Sequence, residues 1–131
     1  MAFLLYSVAD DRIPPIEYLP AEAGTYVVGE CVAVDTSGSH QLDTSALPTH
    51  ICMEAVTIVT AGDLLGCIRI DKDMIFEATK DSTNTMYIGS TYDVASGGLQ
   101  VDDNGSTNNN LECVYVEGTA QGDAVRVRFI K

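Results

Sequence analysis

The residues with chemical potential lie in three places. His40 and His50 share a segment with Ser37, Ser39, Ser45 and Asp43, the residue types of a hydroxyl–imidazole–carboxylate relay. Such a relay needs a positioned nucleophile, an oriented base and an oxyanion hole, and no spacing here marks any of them. A connecting segment rich in Ser and Thr collects these types by composition alone. Cys52 stands two residues after His50, and alternate residues of a strand share a face, so the pair could meet. A strand cysteine packed as a small hydrophobe beside a loop histidine is the commoner arrangement, and no supporting acid is evident.

The third place is Asp102-Asp103-Asn104-Gly105-Ser106, which offers oxygen ligands at the first, third and fifth positions of a calcium loop. Its glycine is misplaced for that loop, and Cys113 occupies the position of the bidentate glutamate. Asn-Gly among polar residues is a hairpin-turn signal, and a turn is the expectation. The same residues match a glycosylation sequon, which matters only in a secreted chain. No glycine loop opens a helix to cradle phosphate. Tryptophan is absent and the tyrosines and phenylalanines are scattered, so a stacking platform for sugars is unsupported. No catalytic residue, metal ligand or cofactor is expected, and the chain reads as a binding and assembly protein, not an enzyme.

Cys31, Cys52, Cys67 and Cys113 are far apart and lack the paired spacing of zinc sites. Three disulfide connectivities are arithmetically open, and reduced core thiols are the expectation. The first residues are apolar only briefly and carry no preceding basic residue, which points away from a signal peptide and toward synthesis in the cytoplasm. No run is long enough to span a bilayer. Nineteen Asp and Glu against seven Lys and Arg give a net charge of −12. A field of that sign repels phosphate, so neither nucleic acid nor an anionic membrane is an expected partner. Solubility and resistance to self-association are the simplest consequences.

These residues must be held by strands. Pro14, Pro15 and Pro20 exclude a helix near the start and favour extended chain, so residues 1–24 read as an extended N-terminal arm. Residues 25–131 read as one β-domain, with short strands expected at Tyr26–Val34, Ile51–Val59, Asp63–Ile70, Met74–Ala78, Met86–Ile88, Tyr92–Val94, Gly98–Val101 and Leu111–Val116. The last strand is the clearest, with Val125, Val127 and Phe129 on one face and Arg126 and Arg128 on the other. No window carries a capped helical period.

A shift of 60 residues aligns Thr25 with Thr85, Gly29 with Gly89, Val34 with Val94, Gly38 with Gly98, Val56 with Val116, Gly62-Asp63 with Gly122-Asp123 and Ile70 with Ile130. Conservative pairs fall between them, among them Ile51 with Leu111 and Leu65 with Val125. The shift predicts repeats over 25–70 and 85–130, related by a pseudo-twofold. The expected fold class is all-β, a small barrel or sandwich that hides most sheet edges.

Several phrases carry a family resemblance: Gly62-Asp63-Leu64-Leu65-Gly66-Cys67-Ile68-Arg69-Ile70, then Met74-Ile75-Phe76-Glu77, Val94-Ala95-Ser96-Gly97-Gly98-Leu99-Gln100-Val101, and the ending from Glu117 to Phe129. With the arm and the acidic β-domain, the chain over about residues 20–131 resembles the capsid decoration, or cement, proteins of tailed bacteriophages. The resemblance implies a place on the outer face of the virion, as a homotrimer bound to the major capsid protein and bracing it against internal pressure. No family contact motif transfers to individual positions. From the arm itself, Phe3, Leu4, Leu5, Tyr6, Ile13, Ile16 and Tyr18 are the capsid-contact candidates, each able to contribute about 1.5–3 kcal/mol on burial before ordering costs. Deletion of residues 2–19 is expected to leave a folded domain that no longer binds capsids. Competing readings are another virion component, such as a tail-tube or head–tail joining protein, and a free-standing ligand-binding or adhesion module.

Overall fold

The computed structural model describes residues 2–8, 14–35, 38–41, 47–95 and 97–130. The fold is all-β, as expected, and is built of two packed antiparallel sheets, with no closed barrel among the described residues. The strands are β1 (Leu4–Val8), β2 (Ile16–Pro20), β3 (Gly24–Tyr26), β4 (Cys31–Asp35), β5 (Gly38–Gln41), β6 (His50–Cys52), β7 (Val56–Ile58), β8 (Leu64–Arg69), β9 (Met74–Thr79), β10 (Thr91–Val94), β11 (Val101–Asp102), β12 (Leu111–Val116) and β13 (Ala124–Phe129). One sheet runs β2-β8-β6-β4-β5, the other β1-β9-β13-β12-β10-β11, and β3 pairs with β7 as a separate ribbon.

The two sheets share a strand order and matching turn hydrogen bonds. Omitting β1, the two sheets have one order, with β2, β8, β6, β4 and β5 matched by β9, β13, β12, β10 and β11. Gly29 N–H donates to Cys52 C=O at 2.8 Å, and Gly89 N–H to Cys113 C=O at 2.8 Å. Gly62 N–H donates to Ala21 C=O at 2.9 Å, and Gly122 N–H to Lys80 C=O at 3.1 Å. The turns at Val27–Glu30 and Tyr87–Ser90 both place their glycine at positive φ, 87° and 88°, which a side chain would oppose.

Several expectations change. Cys52 matches Cys113, so the shift slips by one within the repeat and Leu111 corresponds to His50, not to Ile51; one extra residue lies between β10 and β12. The arm boundary also moves, because β2 pairs with β8 as β9 pairs with β13, which makes Ile16–Pro20 the first strand of repeat one. The long segments Tyr26–Val34 and Ile51–Val59 each break in two, and Met86–Ile88 enters a turn instead of a strand.

Nor do the repeats face each other across a pseudo-twofold. The main core joins Phe76, Ala78, Tyr92, Leu111, Cys113, Val125, Val127 and Phe129 to Cys31, Ala33, Ile51 and Ile68. The equivalents of Tyr92, Cys113, Val125 and Val127 are Val32, Cys52, Leu65 and Cys67, and these lie in a second core with Ala21, Tyr26 and Ile58. Equivalent faces therefore point the same way, in tandem. The second core is closed by the β3–β7 ribbon, and β2 and β5, the edges of its sheet, come close to each other. Covering both faces of the β8-β6-β4 sheet explains why Leu65, Gly66, Cys67 and Ile68 form one buried run instead of an alternation.

Candidate functional site

A cleft of about 380 Å³ opens where the arm meets the turn between β8 and β9, lined by Val8, Pro14, Pro15, Glu17, Arg69, Asp71 and Met74. Pro14 and Pro15 hold the wall extended as the chain enters β2. Glu17 and Arg69 stand on the paired strands β2 and β8. The guanidinium grips Glu17 in a two-pronged contact, Nε to Oε2 at 3.2 Å and a terminal nitrogen to Oε1 at 2.9 Å. That grip holds the Glu17 carboxyl below its ordinary value against the opposing effect of burial.

Behind Glu17 sits buried His50, with Nε2 3.3 Å from Glu17 Oε2 but too poorly aligned for a hydrogen bond. Its Nδ1 is 2.8 Å from the Thr49 hydroxyl, whose oxygen also accepts the Val34 N–H at 3.0 Å. Burial pushes the imidazole below its ordinary value of 6.5, outweighing the upward pull of Glu17. Thr49, His50 and Glu17 have the residue types of a relay, but the hydroxyl is tied to the main chain and neither Thr49 nor His50 lines the cleft. Chemically, the cleft offers an ionised carboxylate already neutralised by arginine. That arrangement suits holding a ligand or the chain itself more than moving protons.

The other residues singled out in the sequence are placed as follows. Ser37, Asp43 and Ser45 lie outside the described residues, and the His40 backbone pairs with Ala33. Cys52 faces Cys67 across β6 and β8, and its thiol donates to the Glu54 carbonyl at 3.1 Å; it does not meet His50 in a relay. All four cysteines are buried free thiols. Asp102–Gly105 forms a turn closed by the Gly105 N–H on the Asp102 carbonyl at 3.2 Å.

Sequence reasoning singled out Asp102 and Asp103 but missed Asp81 and Lys80 beside them. Asp81, Asp102 and Asp103 bring carboxylate oxygens within 4.8 Å of one another, a set able to hold a cation. The fold supplies one of its own. The fully buried Lys80 ammonium lies 3.6 Å from Asp103 and donates to the carbonyls of Asn84 at 2.5 Å and Gly118 at 3.2 Å. Asp103 also accepts the Asn84 N–H and side-chain amide, each at 3.0 Å. Lys80 corresponds to Ala21 of the first repeat, and no sequence signal distinguishes it from an exposed lysine.

Of the capsid-contact candidates, Phe3 is 1% exposed and belongs to the main core, so it is not available as a surface contact. Leu5 packs partly against that core. Leu4, Tyr6, Ile16 and Tyr18 are exposed, and Ile13 lies outside the described residues. Tyr6 covers the Arg126 guanidinium at 3.9 Å, with Tyr115 on it at 4.8 Å and Glu77 accepting from Nε at 3.2 Å. Arg128 pairs with Glu112 on the same outward face. The arm is thus built into both sheets, and deleting residues 2–19 removes a core ring and two paired strands. Such a deletion would disturb the fold along with any binding.

No family model matches the chain, and no curated protein matches it. Among the described residues, no helix is long and apolar enough to cross a membrane. Fold and cleft together define an all-β protein of tandem five-stranded motifs with an arginine-clamped carboxylate at the edge.

Proposed function

We propose that this protein acts by binding, as a structural component that decorates the outer surface of an assembled bacteriophage capsid and braces neighbouring major capsid proteins. The observation that carries a binding role is the repeated turn. Val27 and Val28 in one repeat and Tyr87 and Ile88 in the other are exposed, the latter two at 65% and 68%. Large apolar side chains at equivalent turn tips add nothing to the two cores and are suited to a protein surface. Exposed Ile16 and Tyr18 on β2 add two further apolar side chains to the outer surface. The choice of partner rests on the resemblance of the Gly62–Ile70, Met74–Glu77, Val94–Val101 and Glu117–Phe129 phrases to cement proteins. The excess of carboxylates accords with a site outside the DNA-filled shell. Such a protein needs no cofactor, and a trimer at threefold positions is the assembly that the resemblance implies.

Mass spectrometry of density-banded particles from the source tests this directly. A copy number comparable to the major capsid subunit is the expected result. A few copies per particle would reassign the protein to a tail or vertex, and absence with the gene expressed would end the virion reading. Tyr87→Ser with Ile88→Ser should leave the fold intact and weaken capsid binding at least tenfold; unchanged binding would move the contact surface elsewhere.

A further inference from the structure

Cys52 and Cys67 are direct cross-strand partners on β6 and β8. The neighbouring pair is bonded narrowly, Met53 N–H to Gly66 C=O at 2.8 Å, and Ile70 N–H reaches Thr49 C=O at 3.1 Å. Alternation then makes the Cys52–Cys67 pair the non-hydrogen-bonded kind, in which side chains stand closest and Cα atoms are about 4.5 Å apart. That spacing lies at the short end of the range a disulfide spans, about 4.4–6.8 Å. Both side chains point into the second core, beside Tyr26, Val32 and Leu65. Cys31 and Cys113, in contrast, belong to the main core.

We propose that Cys52 and Cys67 form an intramolecular disulfide by exchange with a low-molecular-weight disulfide, a modification that locks β6 to β8 beneath the β3–β7 ribbon. The proton arrangement favours one order of attack. Contact between the two facing thiols eases Cys52 toward thiolate and pushes Cys67 up, so Cys52 attacks first. Cys52 thiolate attacks one sulfur of the reagent RSSR, forming a mixed disulfide and expelling RS⁻. Cys67 then loses its proton and attacks the Cys52 sulfur, expelling the second RS⁻. The two protons given up by the cysteines end on the two leaving thiolates, so two protein thiols and RSSR become one protein disulfide and two RSH. Both thiols are fully buried, so the rate is set by opening of the ribbon that covers them.

The test uses the intact, reduced protein equilibrated with oxidised glutathione at mildly alkaline pH, then denatured and alkylated. The expected product has two alkylated cysteines, Cys31 and Cys113. After cleavage at Asp43 and Glu54, which puts Cys31, Cys52 and Cys67 on separate peptides, a linked pair holding Cys52 and Cys67 should appear and vanish on reduction. The oxidised protein should melt roughly 5–10 °C higher, as closure of so short a loop predicts. Cys67→Ser should abolish the shift, and the map of the unmodified sequence decides the matter even if that variant folds poorly. Four alkylated cysteines at equilibrium, or a link involving Cys31 or Cys113, would overturn the proposal.

Discussion

The rings of Phe3 and Phe129 lie 5.8 Å apart between centroids, which fastens the N-terminal segment to the last strand of the chain. Phe76 meets Phe129 edge-on at 5.6 Å, so three aromatic rings from distant parts of the sequence close the main core. The Phe3 N–H also donates to the Gly29 carbonyl at 2.9 Å, tying the arm to the repeat-one turn. An N-terminal segment held this way is part of the fold and not a free tether.

Phe3→Ala should therefore lower stability by about 3–5 kcal/mol, the usual cost of emptying a buried aromatic site. Urea denaturation followed by circular dichroism measures it. A loss below about 1 kcal/mol would mean that the arm is dispensable after all.

Lys80 and Asp103 are both fully buried, and neither has water to fall back on. Lys80→Met or Asp103→Asn alone should cost about 3–5 kcal/mol, because each leaves one buried charge without its partner. The double variant should cost clearly less than the sum, since it removes both charges together. Additive losses in a double-mutant cycle would show that the pair is not coupled.

His50 makes stability depend on pH. Its folded value lies below the ordinary 6.5, so between those two values the unfolded chain binds a proton that the folded chain does not. Stability then falls as pH drops through about 6.5, by at most about 1.4 kcal/mol per pH unit. The groups facing the ring are Glu17, Arg69 and Thr49. Glu17 adds a loss of the same sign at lower pH, since its folded value lies below the ordinary 4.5. Denaturation midpoints at pH 7.5 and 5.5 should differ less in His50→Gln than in the unmodified protein; equal differences would remove His50 from the account.

Asp93 organises the loop before β12. Its carboxylate accepts the main-chain N–H of Thr107 at 2.9 Å, Asn108 at 2.9 Å and Asn109 at 2.7 Å, and Asn109 sits at φ 51°. Asp93→Ala should cost about 2–3 kcal/mol and speed amide exchange at those three positions selectively. Uniform exchange across the sheet would indicate a global effect instead.

The sequence by itself determined the class of fold and the positions of its clearest strands. The alternation of Val125, Val127 and Phe129 with Arg126 and Arg128 needs only the two-residue period of a strand, and the structure buries the first set and leaves the second facing outward. The glycines at 29 and 89 and at 62 and 122 mark the repeat, because each turn demands a conformation only glycine adopts cheaply. Longer-range relations were out of reach. Pro14 and Pro15 told of extended chain, but nothing local says that Ile16–Pro20 pairs with Leu64–Arg69, a contact decided by register across the sheet. Gly29 broke a strand that composition made continuous. Burial of Lys80, the Arg69 clamp on Glu17 and the facing of Cys52 and Cys67 come from residues far apart in the chain. Only tertiary packing sets which of them lose water together, and desolvation is what turns ordinary lysines, histidines and cysteines into distinctive ones.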